Sequence, residues 1–576
     1  MILRHCFAAL AVALLALAAS AVSCAGTTDS HDGGTDGRVG DTASEKNGSC
    51  IDAGPIAPTL IALSVTATHA SGSAPAVALV PAFTPEIHDY YVRCPAATNA
   101  LTVTMEANSC NDSVLTRPTM TPPATGKQTQ SLSVNANQAV VAVAKAGATS
   151  VEYWVRCLPP DFPPIQMVAH PSAGKPTPGY YLVGTFSPTT VGGYAMVVDG
   201  NGVPVWYHLE PKLGVLPVES LVPGGISYTT NVGAFDPHPF ELIDVKTLKK
   251  TIIAPTGIPL DIHELRVLSD GSYVALSDRL LTGVNLSGLP PVSVGGGSSV
   301  TAGPNANMLA CDIIEFTSTG KVTWTWQATA HLDPAKISLD PEKVENVGDS
   351  GVPDGGLIFN ALHCNSVDVD PKTGDLVVSS YDGSTFFYIE RTTGQILWRM
   401  GGSDAGTLDD GAAYIPAPSP GFSGQHDVRL QPNWSTCAGG QISLYDDGTF
   451  TAAPARAVVY DVKLGGGSAC DGGVPEGGTP SATQTWQYAG APDGKPSTAS
   501  GSFRISADGS RVIGWGLLYS KAGTVFTEVD EKGDALLDFE SAYMPPPLPP
   551  PMGSYRAIKV PLTAFDLETM RMTAGH

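Results

Sequence analysis

The sequence predicts an all-β protein, a six-bladed β-propeller preceded by a small β-sandwich domain. Short Val- and Thr-rich runs alternate with turn residues along most of the chain, and helical periodicity is almost absent. From residue 166 onward, one hairpin pattern recurs in six units. Four-stranded units repeated in this way are typical of propeller blades.

Residues 1–23 are predicted to form a signal peptide. A basic start is followed by an apolar run from Phe7 to Val22, which is too short for a membrane-spanning helix. Cys24 follows in Ala-Val-Ser-Cys, which resembles a lipoprotein cleavage site. We therefore expect an exported protein, periplasmic or at the outer membrane or cell surface, held to a membrane only by a lipid on Cys24. An unlipidated secreted form is the alternative.

Residues 24–58 predict a flexible tether, because they are mainly Gly, Asp, Ser and Thr and offer little apolar surface to bury. The chain carries 32 basic and 54 acidic residues and has no basic cluster. This balance argues against nucleic acid as a partner and favours small molecules or proteins.

Residues 59–160 predict the β-sandwich. Runs that begin at Leu63, Leu101 and Ala139 are short, β-branched and separated by turn signals. The segments Leu79-Val-Pro-Ala-Phe-Thr-Pro and Tyr153-Trp-Val resemble the cadherin-like modules of bacterial surface proteins. In an oxidising compartment we expect cysteine pairing, with Cys94–Cys157 and Cys437–Cys470 as the predicted disulfides.

Residues 165–576 predict the propeller. Each of its six units ends in an apolar strand, a turn with acidic or glycine residues and a second strand that often ends in an aromatic residue. The six hairpins are Val198–Trp206, Ile243–Leu248, Glu315–Trp324, Ile389–Trp398, Tyr460–Trp486 and Val529–Phe539. A final strand after Tyr555 is expected to close the ring. An array of β-sandwiches is the alternative.

Three histidines occupy equivalent positions in three units. His263-Glu-Leu-Arg aligns with His426-Asp-Val-Arg, His363 holds the same place between them, and Gly501 holds it in a fourth unit. The first strand of a propeller blade lines the central channel, so these side chains should converge. Imidazoles there can act as nucleophile, base or anion partner. They could also bind a metal, although no His, Cys or carboxylate pair at ligand spacing supports one, and we predict none.

The segments Leu362-His-Cys-Asn-Ser-Val-Asp-Val-Asp, Ile396-Leu-Trp and Gln425-His-Asp resemble the bacterial arylsulfate sulfotransferases. The resemblance implies transfer of a sulfuryl group from an aryl sulfate donor to a phenolic acceptor, without a nucleotide or other cofactor. It assigns His426 as the sulfated nucleophile, and His363 and Asn365 as contacts of the sulfuryl oxygens. It also implies proton transfer with the phenol at His263.

One residue departs from the family pattern. After Ser379-Ser380 the family supplies an arginine that pairs with the sulfate, whereas this chain has Tyr381, which we place among the substrate-binding residues. Protonated His263 or His363 could replace that cation, as could a rotated Arg266, Arg429 or Arg504. Three arginines follow the aligned positions by three residues, so strand alternation predicts that they face away and are structural. They are Arg266, Arg429 and Arg504.

Two rival functions follow from the same residues. A ligand-binding or interaction propeller without catalysis would keep the fold and lose the chemistry, as Tyr381 suggests. A quinone- or metal-dependent oxidase or hydrolase would need stacked tryptophans or carboxylate clusters at the channel. The tryptophans of this chain instead end the outer hairpins.

Overall fold

The structure is a computed structural model, and its described residues belong to one compact unit within Gly54–His576. They are 57–67, 77–185, 192–211, 213–231, 239–295, 298–339, 341–344, 356–409, 411–464, 479–517, 523–541 and 553–576. Strands account for 49% and helices for 5%, so the all-β prediction is confirmed. The predicted signal peptide and Cys24 lie outside the described residues. No helix in the described ranges is long and apolar enough to span a membrane.

The first eight strands form two sheets around a shared core. They are β1 (Leu60–Ala67), β2 (Asp89–Arg93), β3 (Thr98–Ala107), β4 (Asp112–Arg117), β5 (Ala124–Thr125), β6 (Lys127–Asn135), β7 (Ala139–Ala146) and β8 (Thr149–Leu158). The sheet orders are β1-β3-β6 and β2-β8-β7-β4-β5. Apolar side chains from both sheets make one buried cluster, which contains the disulfide Cys94–Cys157. That predicted disulfide is confirmed.

The next strands run through the middle of the chain. They are β9 (Gln166–Ala169), β10 (Tyr180–Gly184), β11 (Gly193–Val198), β12 (Pro204–Glu210), β13 (Gly214–Glu219), β14 (Gly225–Asn231), β15 (Phe240–Asp244), β16 (Lys250–Ile253), β17 (Leu265–Val267), β18 (Tyr273–Ser277), β19 (Leu280–Val284), β20 (Val292–Gly295), β21 (Ser298–Val300), β22 (Ala306–Leu309), β23 (Asp312–Phe316) and β24 (Val322–Trp326). Two short helices follow, α1 (Ala328–His331) and α2 (Pro334–Ile337).

The last strands complete the set. They are β25 (Glu342–Val344), β26 (Ile358–Asn360), β27 (Cys364–Val369), β28 (Leu376–Ser380), β29 (Thr385–Ile389), β30 (Ile396–Gly401), β31 (Ala413–Ile415), β32 (His426–Leu430), β33 (Gly439–Asp446), β34 (Arg456–Lys463), β35 (Ser481–Tyr488), β36 (Ser502–Ile505), β37 (Arg511–Gly514), β38 (Thr524–Val529), β39 (Ala535–Glu540) and β40 (Ala557–Val560). Helix α3 (Leu567–Thr573) follows β40, and its Arg571 forms an ion pair with Asp89 of β2.

Six sheets of four or five strands contain most of these elements. Their orders are β12-β11-β10-β40, β13-β14-β15-β16, β17-β18-β23-β24, β27-β28-β29-β30-β31, β32-β33-β34-β35 and β36-β37-β38-β39-β9. Each of the six predicted hairpins is an antiparallel pair in one of these sheets. Two sheets are completed by distant strands, because β40 pairs with β10 and β9 pairs with β39. β40 is the strand that the sequence predicted after Tyr555.

Side chains within the hairpin turns stabilise the connection between the paired strands. In the first hairpin, a side-chain oxygen of Asp199 accepts the backbone N–H groups of Asn201 and Val203 at 2.9 and 2.8 Å. Gly202 adopts φ 82°, which a residue without Cβ tolerates most easily. Asp530 accepts the N–H groups of Lys532 and Asp534 in the same way in the last hairpin. In these two hairpins, an acidic residue therefore stabilises the turn through its side chain.

The structure also contains a small four-stranded sheet that the sequence did not predict. It has the order β19-β22-β26-β25, and β20 pairs with β21 beside it in sequence. These strands interrupt the sheet that starts with β17, between β18 and β23 and after β24. Met308 of β22, Phe359 of β26 and Leu286, which follows β19, belong to a core shared with β27 and β28. The segment therefore packs against the strand that follows His363.

Candidate active site

The three predicted histidines stand at the start of the first strands of three sheets. His263 lies two residues before β17, His363 directly precedes β27, and His426 begins β32. The Nε2 atoms of His263 and His363 are 3.4 Å apart. Tyr381 connects this pair to the third histidine, because its ring centroid is 5.1 Å from that of His363 and 5.4 Å from that of His426. The residues that the sequence aligned therefore meet in space.

His426 is buried, and both of its ring nitrogens are engaged. Nδ1 is 2.8 Å from Oδ2 of Asp447, and Nε2 is 3.2 Å from the backbone nitrogen of Ser500. A backbone N–H can only donate, so Nε2 carries the lone pair and Nδ1 carries the proton. Burial, with the neighbouring His263 and His363, lowers the pKa of His426 well below its usual value. The ring is thus a neutral imidazole with Nε2 as its basic atom.

Asp447 is fully buried at the turn after β33. Its Oδ2 faces His426, and within the described residues its Oδ1 has no hydrogen-bond partner. Burial and the adjacent Asp446 raise the pKa of Asp447 well above its usual value. Because burial disfavours the charged form of both Asp447 and His426, the pair carries at most one charge.

His263 has a different acidic environment. Oδ1 of Asp261 lies 2.6 Å from Nδ1 of His263 and accepts its backbone N–H at 2.6 Å. Burial acts to raise the pKa of Asp261, but the His263 ring and its hydrogen bonds outweigh burial and lower it. A second carboxyl, Asp278, hydrogen-bonds Asp261, and burial and that neighbour raise the pKa of Asp278 well above its usual value. A protonated Asp278 beside a charged Asp261 follows from this arrangement.

Aromatic rings fill the space between the histidines. Tyr381 is 3% exposed, and its hydroxyl donates to the carbonyl of Thr498 at 3.1 Å. The Tyr555 ring lies 5.5 Å from His263 and 6.2 Å from His426, centroid to centroid. Tyr555 was missed as a site residue, although Tyr555-Arg556 precedes β40 as His263-Glu264 precedes β17. That shared register was the signal that could have found it.

Gly501 explains why a fourth unit has no histidine at the aligned position. Its φ is 120°, and a Cβ built on it would lie 2.3 Å from the ring of Tyr445. Any side chain there would collide with that buried ring. The Tyr445 ring therefore occupies the space that a side chain at position 501 would need.

The second predicted substrate contact, Asn365, is fully buried. Its Nδ2 donates to the carbonyl of Gln425 at 2.7 Å, directly before His426. Gln425 in turn donates to Ser379, Ser380 and Thr385. In this structure Asn365 therefore ties the start of β27 to the start of β32.

A buried ionic cluster lies next to the histidines along the chain. It contains four arginines and four acids, namely Arg266, Arg429, Arg504, Arg556, Glu219, Glu264, Asp368 and Asp427. Asp427 accepts from both Arg429 and Arg504, at 2.6 and 2.7 Å. Burial acts to raise the pKa of Asp427, but the guanidinium groups outweigh burial and lower it. The cluster is balanced in charge.

This cluster corrects one prediction. Arg429 does not face away: it is buried and hydrogen-bonds Glu264, which directly precedes β17 of another sheet. The strict alternation of the strand fails here because Asp427 adopts φ 55° and the β32–β33 register shifts between His426 and Arg429. The predicted structural role of these arginines agrees with their ion pairs, because carboxylates pair with Arg266, Arg429 and Arg504.

A disulfide that the sequence did not predict lies beside the site. Cys364, the residue after His363, is bonded to Cys311, which immediately precedes β23. Cys437 is also disulfide-bonded, while Cys470, its predicted partner, lies outside the described residues. In the ranges that the structure describes, no group of three or more His, Cys, Asp or Glu side chains is arranged to hold a metal ion.

Solved structures resemble the chain only weakly. A putative 6-phosphogluconolactonase from Bacteroides fragilis is 11% identical, with coverage of 67% of this chain and 100% of that chain and a TM-score of 0.33. An auxiliary nutrient binding protein from Bacteroides thetaiotaomicron is 13% identical, with coverage of 79% and 86% and a TM-score of 0.29. Similarity at this level carries no argument about fold or function. No curated protein matches the chain.

The sequence match is more specific. Residues 295–462 match the arylsulfotransferase (ASST) family. This range contains His363, Asn365, Tyr381 and His426, whereas His263 lies outside it. The predicted resemblance is confirmed for this part of the chain, and it supports an arylsulfotransferase-like function in the broad sense. Residues 295–462 are therefore similar to the arylsulfotransferase family, and this match covers less than half of the chain.

Proposed function

We propose that the protein is an exported arylsulfate sulfotransferase-like enzyme that transfers a sulfuryl group from a phenolic sulfate ester to a phenol through a sulfohistidine at His426. The convergence of His263, His363 and His426 from three sheets carries this proposal. The family match over residues 295–462 supports the substrate class. The leader sequence and Cys24 support export and a lipid anchor.

We further propose that the six sheets are the blades of a propeller. The first strands of neighbouring sheets contact one another, as between β27 and β32, β32 and β36, and β36 and β40. Distant chain segments complete the first and last of the six sheets, through β40 and β9. Such sharing of a sheet by two ends of the chain is what closure of a ring requires.

The first half of the reaction follows from the state of His426. Its Nε2 lone pair leaves the hydrogen bond with Ser500 and attacks the sulfur of the aryl sulfate. The S–N bond forms, the S–O bond to the aryl group breaks, and the electron pair leaves on the phenolate oxygen. The His263–His363 pair, joined at 3.4 Å, supplies the proton that the phenolate takes up.

The second half reverses these movements. An acceptor phenol returns its proton to the His263–His363 pair, and its oxygen attacks the sulfur. The S–N bond then breaks, and its electron pair returns to Nε2 of His426. The Ser500 N–H, which no longer has the Nε2 lone pair as acceptor in the intermediate, is close enough to face the sulfuryl oxygens. Protons and electrons balance without a cofactor.

Tyr381 stands where the family pattern has an arginine that pairs with the sulfate. Tyr381 occupies the space between His363 and His426 and brings no charge. The arginines of the buried ionic cluster are paired with carboxylates. We propose that the protonated His263–His363 pair, with Asp261 behind it, supplies the positive charge that faces the sulfuryl group.

The test is transfer from p-nitrophenyl sulfate to phenol by the full chain. Nitrophenolate release should be lost in His426→Ala and retained in His331→Ala, a matched histidine that is paired with Asp409 and stacked on Trp326. Trapped wild-type protein should carry one sulfuryl group on His426 in a peptide map. Equal turnover by wild type and His426→Ala, or no turnover with any aryl sulfate, would overturn the proposal.

A further inference from the structure

The residue that the sequence did not mark and that contacts the reacting ring most directly is Asp447. It reaches His426 from the turn after β33, whereas His426 is the first residue of β32. The pair is fixed on both sides, since Nδ1 of His426 meets Asp447 and Nε2 meets the Ser500 N–H. This geometry leaves one tautomer, with Nδ1 protonated.

The position of Asp447 is built by its neighbours. Asp446 accepts the backbone N–H groups of Ser423 and Gly448 at 2.9 and 3.1 Å and accepts from Arg456 at 2.8 Å. The Asp447 carbonyl accepts the N–H of Ser497 at 2.9 Å. Of two adjacent aspartates, the first therefore anchors the turn, and the second is left to face the imidazole.

Asp447 is poorly satisfied before any reaction. Its Oδ1 is buried without a hydrogen-bond partner in the described part of the chain, and its Oδ2 meets a neutral imidazole. A carboxylate in such a place gains most when a positive charge arises next to it. Formation of the S–N bond at Nε2 leaves the ring with its Nδ1 proton and a positive charge. The hydrogen bond to Asp447 then becomes an ion pair.

We propose that Asp447 is a positioning residue that holds Nε2 of His426 toward the substrate and stabilises the positive ring of the sulfohistidine. The proposal rests on the proposed function, because it assigns a partner to the same nucleophile. The interaction is stronger in the intermediate than in the free enzyme, so it should act on kcat rather than on KM. The effect should be independent of the leaving phenol, because Asp447 contacts the nucleophile only.

The experiment compares Asp447→Asn with wild type in the full chain. Asn keeps the size and the acceptor oxygen but removes the charge. We expect kcat for p-nitrophenyl sulfate to fall about 10- to 100-fold, with KM changed less than about threefold. The rate of sulfohistidine formation in a single turnover should fall by the same factor. Asp409→Asn is the matched control, because it alters a His–Asp pair of similar length, 2.9 Å, around His331.

Thermal unfolding of each variant shows whether the fold is retained. If Asp447→Asn does not fold, Asp447→Ser, which keeps a hydroxyl acceptor, takes its place with the same expected loss. A folded variant with wild-type kcat, together with an inactive His426→Ala, would overturn the role of Asp447 and leave the proposed function standing. An active His426→Ala would instead overturn the proposed function itself.

Discussion

His426 and His263 are both hydrogen-bonded to an aspartate through Nδ1, at 2.8 and 2.6 Å, yet their surroundings differ. On the His426 side, the second ring nitrogen meets a backbone N–H, and the second carboxylate oxygen of Asp447 has no partner among the described residues. On the His263 side, the second ring nitrogen meets His363, and Asp261 meets a further carboxyl, Asp278.

The comparison shows that a His–Asp pair has no fixed role. What the outer atoms of the pair contact decides whether the ring is held neutral or can exchange a proton. The His426 pair is closed on both sides, which suits a nucleophile. The His263 pair continues through hydrogen bonds in both directions, which suits proton transfer.

The largest effect is expected from a change in the buried ionic cluster next to His426. Asp427 follows His426, is fully buried, and forms ion pairs with Arg429 and Arg504. Asp427→Asn should lower the free energy of unfolding by about 3–5 kcal/mol, because it leaves buried guanidinium charge unpaired. Urea unfolding measures this loss. Asp538→Asn, in the more exposed pair with His170, should cost less than about 1 kcal/mol, and equal losses would contradict the prediction.

The next prediction distinguishes the His263–Asp261 pair from the His426–Asp447 pair. Asp261→Asn should weaken proton delivery by His263 and lower kcat about 10- to 100-fold for sulfates of weakly acidic phenols. For p-nitrophenyl sulfate the loss should be small, because nitrophenolate leaves without a proton. The measurement is kcat across a series of donors that differ in leaving-group pKa. The same loss for every donor would remove the distinction between the sides.

A substitution of Tyr381, which lies between His363 and His426, should have a smaller effect. Tyr381→Arg places a cation between His363 and His426, where the sulfuryl group is proposed to bind. We expect kcat/KM for p-nitrophenyl sulfate to rise about tenfold, since one charge-assisted hydrogen bond is gained. Tyr381→Phe, which removes only the hydroxyl that donates to Thr498, is the control. A rise in both variants would show that charge is not the cause.

The smallest effect concerns stability and pH. The pKa of His426 is lowered in the folded protein, so below about pH 6.5 the unfolded chain takes up a proton that the folded chain refuses. The contribution of His426 to stability is therefore lost as the pH falls, by at most about 1.4 kcal/mol per pH unit. Urea unfolding at pH 7 and pH 5 should show a smaller drop for His426→Gln than for wild type. An equal drop would assign the dependence to other groups.

The sequence predicted the parts of this molecule that depend on neighbouring residues. Asp199 and Gly202 determine their hairpin within one turn, and Asp530 and Gly533 repeat this arrangement in the last hairpin. The aligned histidines were found because they begin equivalent strands. Local periodicity and register were sufficient in these cases.

The residues that the sequence did not reveal reach the site from other strands. Asp447 is in a turn after β33 and Asp278 follows β18, so neither shares a motif with its partner. The predicted orientation of Arg429 was wrong because Asp427 has a positive φ, which strict alternation along a strand does not predict. Such contacts depend on how sheets are placed, which a single sequence does not encode at any fixed spacing.

The pairing of β40 with β10 joins Tyr180 to Val560, which are 380 residues apart in the sequence. During folding, the edge of β10 that pairs with β40 therefore stays open until β40 is in place. Contacts of such long sequence separation slow folding. The pairing of β10 with β40 should therefore be among the slower steps of folding.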